Sequence, residues 1–164
     1  MQQEREKGSV QAGLAEAASD FEACARRAIE GLLRRSTMLG KSFVVRPEAA
    51  VPSLRCFVQG GNGDFSVVIS LALERSDLAG LFPAEDEAMA LDAIGELVNV
   101  AGGSFFSRPV FHSRFGCMRC SLPSFDAGGG PKGPSWNLRG DLIVQSTRLI
   151  VECRVFPKNT EERA

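Results

Sequence analysis

The chain has 164 residues, which suits one domain with a sizeable core. Hydrophobic residues make up 44% of it, and 19 Lys and Arg nearly cancel 20 Asp and Glu. This balance lacks the basic excess that binds a phosphate backbone, so no nucleic-acid partner is expected. No charge-free apolar run approaches the roughly 18 residues that a membrane helix needs, so no membrane span is predicted either.

The first seven residues carry acidic side chains where a signal peptide would be basic, and no apolar segment follows them. A cytoplasmic protein is therefore expected. Cysteine usage agrees, because five cysteines are an odd number in a chain that is not short. Such a chain does not favour a disulfide framework, and free thiols buried in the core are expected instead.

The N-terminal half is predicted to be one helix followed by strands. Residues 1–10 are predicted to be a flexible tail, and apolar residues at helical spacing predict a helix from there to residue 35. A short strand is predicted at 42–46. Residues 54–73 are predicted to form a hairpin, because a Gly-Gly-Asn-Gly-Asp turn at 60–64 separates two strand-like segments. No helix follows that turn, so its glycines are not interpreted as a phosphate-binding loop.

The C-terminal half is predicted to contain two helices, three strands and a glycine-rich loop. In chain order these are a short helix at 74–81, a long helix at 85–107, a strand at 115–121, a flexible loop at 126–135, paired strands at 138–146 and 148–156, and a flexible tail at 158–164. Strands outnumber helices and occur in hairpins. The predicted fold class is therefore α+β, a single domain at 11–157 with long helices packed on an antiparallel sheet.

The long helix at 85–107 has an apolar side and an opposite polar stripe. Asp92, Glu96 and Asn99 form this stripe, because spacings of four and three residues place side chains on one helix face. Gly95 borders the stripe. Glycine inside a helix costs about 1 kcal/mol relative to alanine, which suggests that something approaches the backbone closely there. An ordinary solvated face with a tolerated glycine would give the same pattern.

The same residues resemble a known signature. Asp92, Glu96 and Asn99, followed by Pro123, resemble the signature of the CheC/CheX/FliY family of chemotaxis phosphatases. That signature runs Asp or Ser, three residues, Glu, two residues, Asn, about twenty-two residues, then Pro; here 23 residues separate Asn99 from Pro123. A single signature helix and the order of elements resemble the CheX branch. The family commonly continues Ala-Gly-Asn-Ala, whereas residues 101–104 are Ala-Gly-Gly-Ser.

The resemblance implies a phosphatase that hydrolyses the aspartyl phosphate of a phosphorylated CheY-like response regulator. Asn99 would orient the attacking water, and Glu96 would pair with a lysine of the receiver domain. Asp92, Gly95 and Glu96 would form the partner-binding face, and Pro123 would shape its edge. The resemblance also implies a homodimer with no metal or cofactor of its own, since the response regulator supplies Mg²⁺.

Other features of the sequence allow other interpretations. A non-catalytic CheX-like module that docks response regulators is the alternative, because the residues after Asn99 depart from the family pattern. Cys117 and Cys120 form a CxxC pair, but no second pair exists and residues three apart in a strand face opposite sides, which disfavours zinc or redox chemistry. His112 lies in no nucleophile motif. Trp136 could anchor the neighbouring loop or a partner.

Overall fold

The computed structural model describes residues 2–33, 38–45, 53–82, 86–125, 133–144 and 146–158; most of the predicted loop at 126–135 and of the predicted C-terminal tail lies outside them. The elements in chain order are α1 (Gln2–Leu33), β1 (Met38–Val45), β2 (Leu54–Gly61), β3 (Phe65–Leu73), a 3₁₀ turn (Arg75–Asp77), α2 (Leu78–Leu81), α3 (Glu87–Phe106), α4 (Pro109–Phe115), β4 (Arg119–Cys120), β5 (Ser124–Phe125), β6 (Trp136–Val144) and β7 (Thr147–Pro157).

The strands form one antiparallel sheet in the order β1-β6-β7-β3-β2-β4, and β5 also pairs with β2. Both predicted hairpins are present: Val58 pairs with Ile69 between β2 and β3, and Leu142 pairs with Leu149 between β6 and β7. β1 therefore lies at one edge of the sheet, and the short strands β4 and β5 share the other edge. The predicted α+β class with an antiparallel sheet is confirmed.

Helices α1 and α3 pack side by side on the sheet. α1 lies over β6 and β1, and α3 lies over β2 and β3. Their facing side chains are fully buried, as are the inward residues of the central strands: Leu14, Phe21, Ile29, Ile94, Leu97, Ile69, Val151 and Leu149. Gly102 allows α3 to approach the sheet closely, because a Cβ atom at this position would lie only 2.6 Å from Cγ2 of Val58.

The first helix begins at Gln2 rather than near residue 11, so residues 2–10 are part of α1. Most of this segment consists of Gln, Glu, Arg and Lys, which are good helix formers. Val10 is 6% exposed and joins the core. The apolar pattern begins only at this point, which explains why periodicity alone placed the start of the helix too late.

The strand predicted at 115–121 was also largely wrong. Phe115 is the last residue of α4, an irregular stretch follows, and only Arg119–Cys120 is a strand. Pro109 begins α4, a position where its missing N–H is tolerated. Phe111 and Phe115 are buried with ring centroids 5.0 Å apart, and the ring of Phe105 lies 4.8 Å from that of Phe111. Aromatic packing between elements thus stabilises a helix that is too short to form alone.

Candidate functional site

Helix α3 is fixed in place at its N-terminus, near the start of the polar stripe. The side chain of Asp86 caps the helix by accepting a hydrogen bond of 2.8 Å from the backbone N–H of Met89. Glu87 lies in the first turn, where a negative charge is favourable, and forms an ion pair with Arg75. These contacts, with Gly102 packed on β2, hold the helix firmly against the body of the protein.

Asp92, Glu96 and Asn99 lie together on the solvent-facing side of α3, and all three are exposed. Within the described part of the chain, no hydrogen bond or ion pair engages their side chains. Helix α3 contains no Lys, Arg or His, so the face that presents two carboxylates has no compensating positive charge of its own. The polar stripe is therefore available to a partner with positive charge.

Pro123 packs against the backbone of α3 at Gly95. A Cβ atom at position 95 would lie 3.5 Å from Cβ of Pro123 and 3.9 Å from its Cγ. Gly95 is buried although it borders an exposed face, because the proline ring covers it. The close approach suggested by a glycine inside the helix is therefore made within this chain, by the residue that ends the predicted signature.

The loop that carries Pro123 is held on both sides by β2. Before the loop, β4 pairs with the end of β2, and the backbone N–H of Ser121 donates to the carbonyl of Gln59 at 2.7 Å. The hydroxyl of Ser121 accepts from the backbone N–H of Gln59 at 3.0 Å. After the loop, β5 pairs with Phe57 and the residue before it. Pro123 is thus held in a defined position rather than at the tip of a long free loop.

Three exposed apolar side chains lie on α3 or next to Pro123, and the sequence patterns did not single them out. Met89 and Val100 on α3 are 54% and 39% exposed, and Leu122, which precedes Pro123, is 83% exposed. Their signal in the sequence is weak, because isolated apolar residues are common on protein surfaces. Only the folded chain brings the loop residue close to the helix.

The other candidate residues lie elsewhere. Cys117 and Cys120 are exposed free thiols before and within β4, and His112 is exposed on α4. Trp136 begins β6 and packs partly buried against the core. Within the described residues, no group of three or more His, Cys, Asp and Glu side chains is arranged to hold a metal ion.

The remaining cysteines follow the expectation of buried free thiols: Cys24, Cys56 and Cys153 are buried in the core. Burial raises the pKa of Cys56 from its ordinary value of 9.0 to about 11, with a smaller opposing effect of a hydrogen bond from the backbone of Phe57. Burial also raises the pKa of the Cys153 thiol, and the charge of Glu152 adds to this effect. The thiols of Cys56 and Cys153 are therefore neutral at physiological pH.

The sequence matches no protein-family model and no curated protein, but the fold has clear counterparts among solved structures. CheX from Desulfovibrio desulfuricans superposes with a TM-score of 0.66 at 16% identity, covering 87% of this chain and 99% of that one. CheX from Vibrio vulnificus gives 0.66 at 12% identity, covering 86% and 99%.

A third counterpart is the CheX–CheY–BeF₃–Mg²⁺ complex from Borrelia burgdorferi, with a TM-score of 0.56 at 11% identity, covering 85% of this chain and 96% of that one. Among the described helices of the present chain, none has the length and apolar character needed to cross a membrane. At these identities the comparison concerns the fold, and the resemblance carried by residues 92–123 predicted it correctly: this chain has the fold of the CheX-type chemotaxis proteins.

Proposed function

We propose that the protein is a phosphatase that hydrolyses the aspartyl phosphate of a phosphorylated CheY-like response regulator. The observation that carries the proposal is the pair Glu96 and Asn99, exposed and unengaged on one face of α3, beside Pro123 packed on Gly95. The CheX-type fold supports it, as does the existence of a structural counterpart in complex with CheY.

Asn99 is assigned to the attacking water. Phosphoryl transfer needs mainly positioning and electrostatic stabilisation from the protein. A carboxamide suits this task, because its oxygen accepts a hydrogen bond from water while its nitrogen donates nearby. It adds no net charge that would repel the phosphoryl group. Its exposure on α3 lets it reach a reaction centre that belongs to another molecule.

Glu96 is assigned to the partner's lysine, one turn before Asn99 on the same face. A charge-assisted hydrogen bond of this kind would fix the docking register. Asp92 lies one further turn away and adds negative charge that favours a basic partner surface. The response regulator brings the phosphoryl group and Mg²⁺, which offsets the phosphoryl charge. The residues of this chain therefore bind the receiver domain and orient the attacking water.

The proposal is tested by phosphate release from a CheY receiver domain of the source organism phosphorylated with acetyl phosphate. The wild-type protein should accelerate release, and Asn99→Ala should abolish the acceleration while keeping receiver binding. Ser104→Ala is the matched control, because Ser104 is an exposed polar residue on α3 outside the polar stripe. Full activity of Asn99→Ala would refute the assignment, and a wild-type protein that neither binds nor dephosphorylates the receiver would refute the function.

A second candidate is a non-catalytic module that docks response regulators, and Gly103 favours it. Gly103 lies one turn after Asn99, is exposed, and has open space around it, where the family pattern commonly has asparagine. The polar stripe therefore lacks the polar side chain that the family pattern would place one turn after Asn99. Receiver binding by the wild-type protein without any phosphate release would establish this second function.

A further inference from the structure

Leu122 is the most exposed large apolar side chain in the described part of the chain, at 83% exposure. A single exposed leucine is ordinary on a protein surface. This one differs because its backbone position is set by neighbours on both sides. The hydroxyl of Ser121 donates to the carbonyl of Leu122 at 3.0 Å, and Pro123 packs on Gly95. An apolar side chain is thus presented to solvent by an ordered segment.

The position of Leu122 relative to the polar stripe follows from its neighbour in the chain, Pro123. Successive residues of a helix are rotated by about 100°, so Gly95 lies on one side of the polar stripe while Met89 and Val100 lie on the other. Pro123 covers Gly95 on that first side, and Leu122 is the residue immediately before it in the chain. The polar stripe thus has the exposed Met89 and Val100 on one side, and on the other side it has Pro123, which the exposed Leu122 precedes in the chain.

We infer that Leu122 is an apolar anchor for the receiver domain that docks on the polar stripe, an inference that rests on the proposed function. The occupant that this surface requires is a receiver face with a positive centre, matched by Asp92 and Glu96, and with an apolar side chain within reach of Leu122. Leu122 directly precedes Pro123, which packs on Gly95, the residue next to Glu96 in α3. Because the loop is already ordered, little conformational entropy is lost when the partner covers it.

Such an anchor acts on binding and not on the chemical step. Apolar side chains around a charged contact exclude water from it, which strengthens the contact without touching the reacting atoms. An interaction of this kind is equally strong in the bound substrate and in the transition state. Its loss should therefore raise KM and leave kcat unchanged.

The test compares Leu122→Ser with Leu122→Met, which keeps an apolar side chain of similar size. Two quantities are measured: the Kd for a CheY receiver loaded with Mg²⁺ and BeF₃, and phosphate release from the same receiver phosphorylated with acetyl phosphate. Leu122→Ser should weaken binding and raise KM by about tenfold, the loss expected when a leucine side chain is no longer buried. Leu122→Met should stay near wild type, and melting temperatures should not change.

The possible outcomes distinguish the role of Leu122 from the proposed phosphatase function. A serine variant that binds as tightly as wild type overturns the role of Leu122 and leaves the phosphatase intact. A serine variant with normal KM and reduced kcat also overturns it, because the residue would then act in the chemical step. A wild-type protein that neither binds nor dephosphorylates the receiver overturns the proposed function, and the inference falls with it.

Discussion

Pro123 lies against the α3 backbone at Gly95 with room for one methyl group between them, since a Cβ there would lie 3.5 Å from Cβ of the proline. Seven residues further along the same helix, Gly102 has no such room, because its Cβ would lie 2.6 Å from Cγ2 of Val58. The two glycines thus make different contacts: Gly95 is covered by the loop at the candidate site, and Gly102 lets the helix rest on the sheet.

Alanine substitution should separate these two glycines. Gly95→Ala should raise the free energy of unfolding by up to about 1 kcal/mol, because alanine is the better helix former and its methyl group fits. Gly102→Ala should lower it by about 1–3 kcal/mol, because the added methyl overpacks the contact with Val58. Urea unfolding of both variants measures the difference. Equal destabilisation of both would contradict the spacing at Gly95.

Glu96→Ala and Asn99→Ala should differ in their kinetics. Loss of Asn99 should appear in turnover, because the attacking water matters chiefly in the transition state. Loss of Glu96 should also raise KM, since its contact with the lysine exists in the bound state and is typically worth ~1.5–3 kcal/mol, or about tenfold to more than a hundredfold. Phosphate release at several receiver concentrations gives both constants.

Neither variant should lose stability, because both side chains are exposed and no core cavity opens. Melting curves recorded beside the kinetics check this. If Glu96→Ala changes turnover alone, the lysine contact is not what holds the receiver.

Stability should fall at alkaline pH because of the buried thiols. The pKa of Cys56 is about 11 in the folded protein and near 9.0 when the thiol is solvated, so both states bind the proton below pH 9. Above pH 9 the unfolded state releases the proton first, and the stabilisation is lost progressively as the pH rises through about 11. Urea unfolding between pH 8 and pH 11 measures this, and Cys56→Ala should show a smaller decline. An identical decline would assign the effect to other groups.

The protein is predicted to be a homodimer. β1 lies at the edge of the sheet and pairs on one side only, with β6, among the described strands. An edge strand carries unpaired backbone groups that can pair with a second chain. Sedimentation equilibrium at micromolar concentration should give twice the 17.6 kDa mass of the chain. A single monomeric species throughout that range would exclude the dimer.

The hairpins and α3 could be predicted because their signals are local. The turn at 60–64 and the strand-like segments on either side of it predict β2 and β3 within two residues, and acidic residues before an apolar pattern predict α3. Helix α4 was missed because its stability comes from Phe111 and Phe115 packing on the rings of Phe105 in α3 and Phe65 in β3. The proline at its start and the four-residue spacing of these phenylalanines were the available signals.

The sequence predicted only the part of the candidate site that lies on a single helix, α3. Asp92, Glu96 and Asn99 share a face because of helical spacing, which the sequence displays directly. The contact between Gly95 and Pro123 depends on β4 and β5, two-residue strands whose pairing with β2 has no local pattern. Leu122, which precedes Pro123, is positioned by the same contacts, which are distant in sequence.

The pairing of β5 with β2 has a consequence for how this protein can change during evolution. Ser124 and Phe125 are fastened to the sheet directly after the proline, so the chain that follows starts from a fixed point. Insertions, deletions or runs of glycine beyond residue 125 can therefore accumulate without moving Pro123 or the face of α3 beside it. Variation beyond residue 125 is thus separated from selection on the site, and the length of that segment can adapt to other demands.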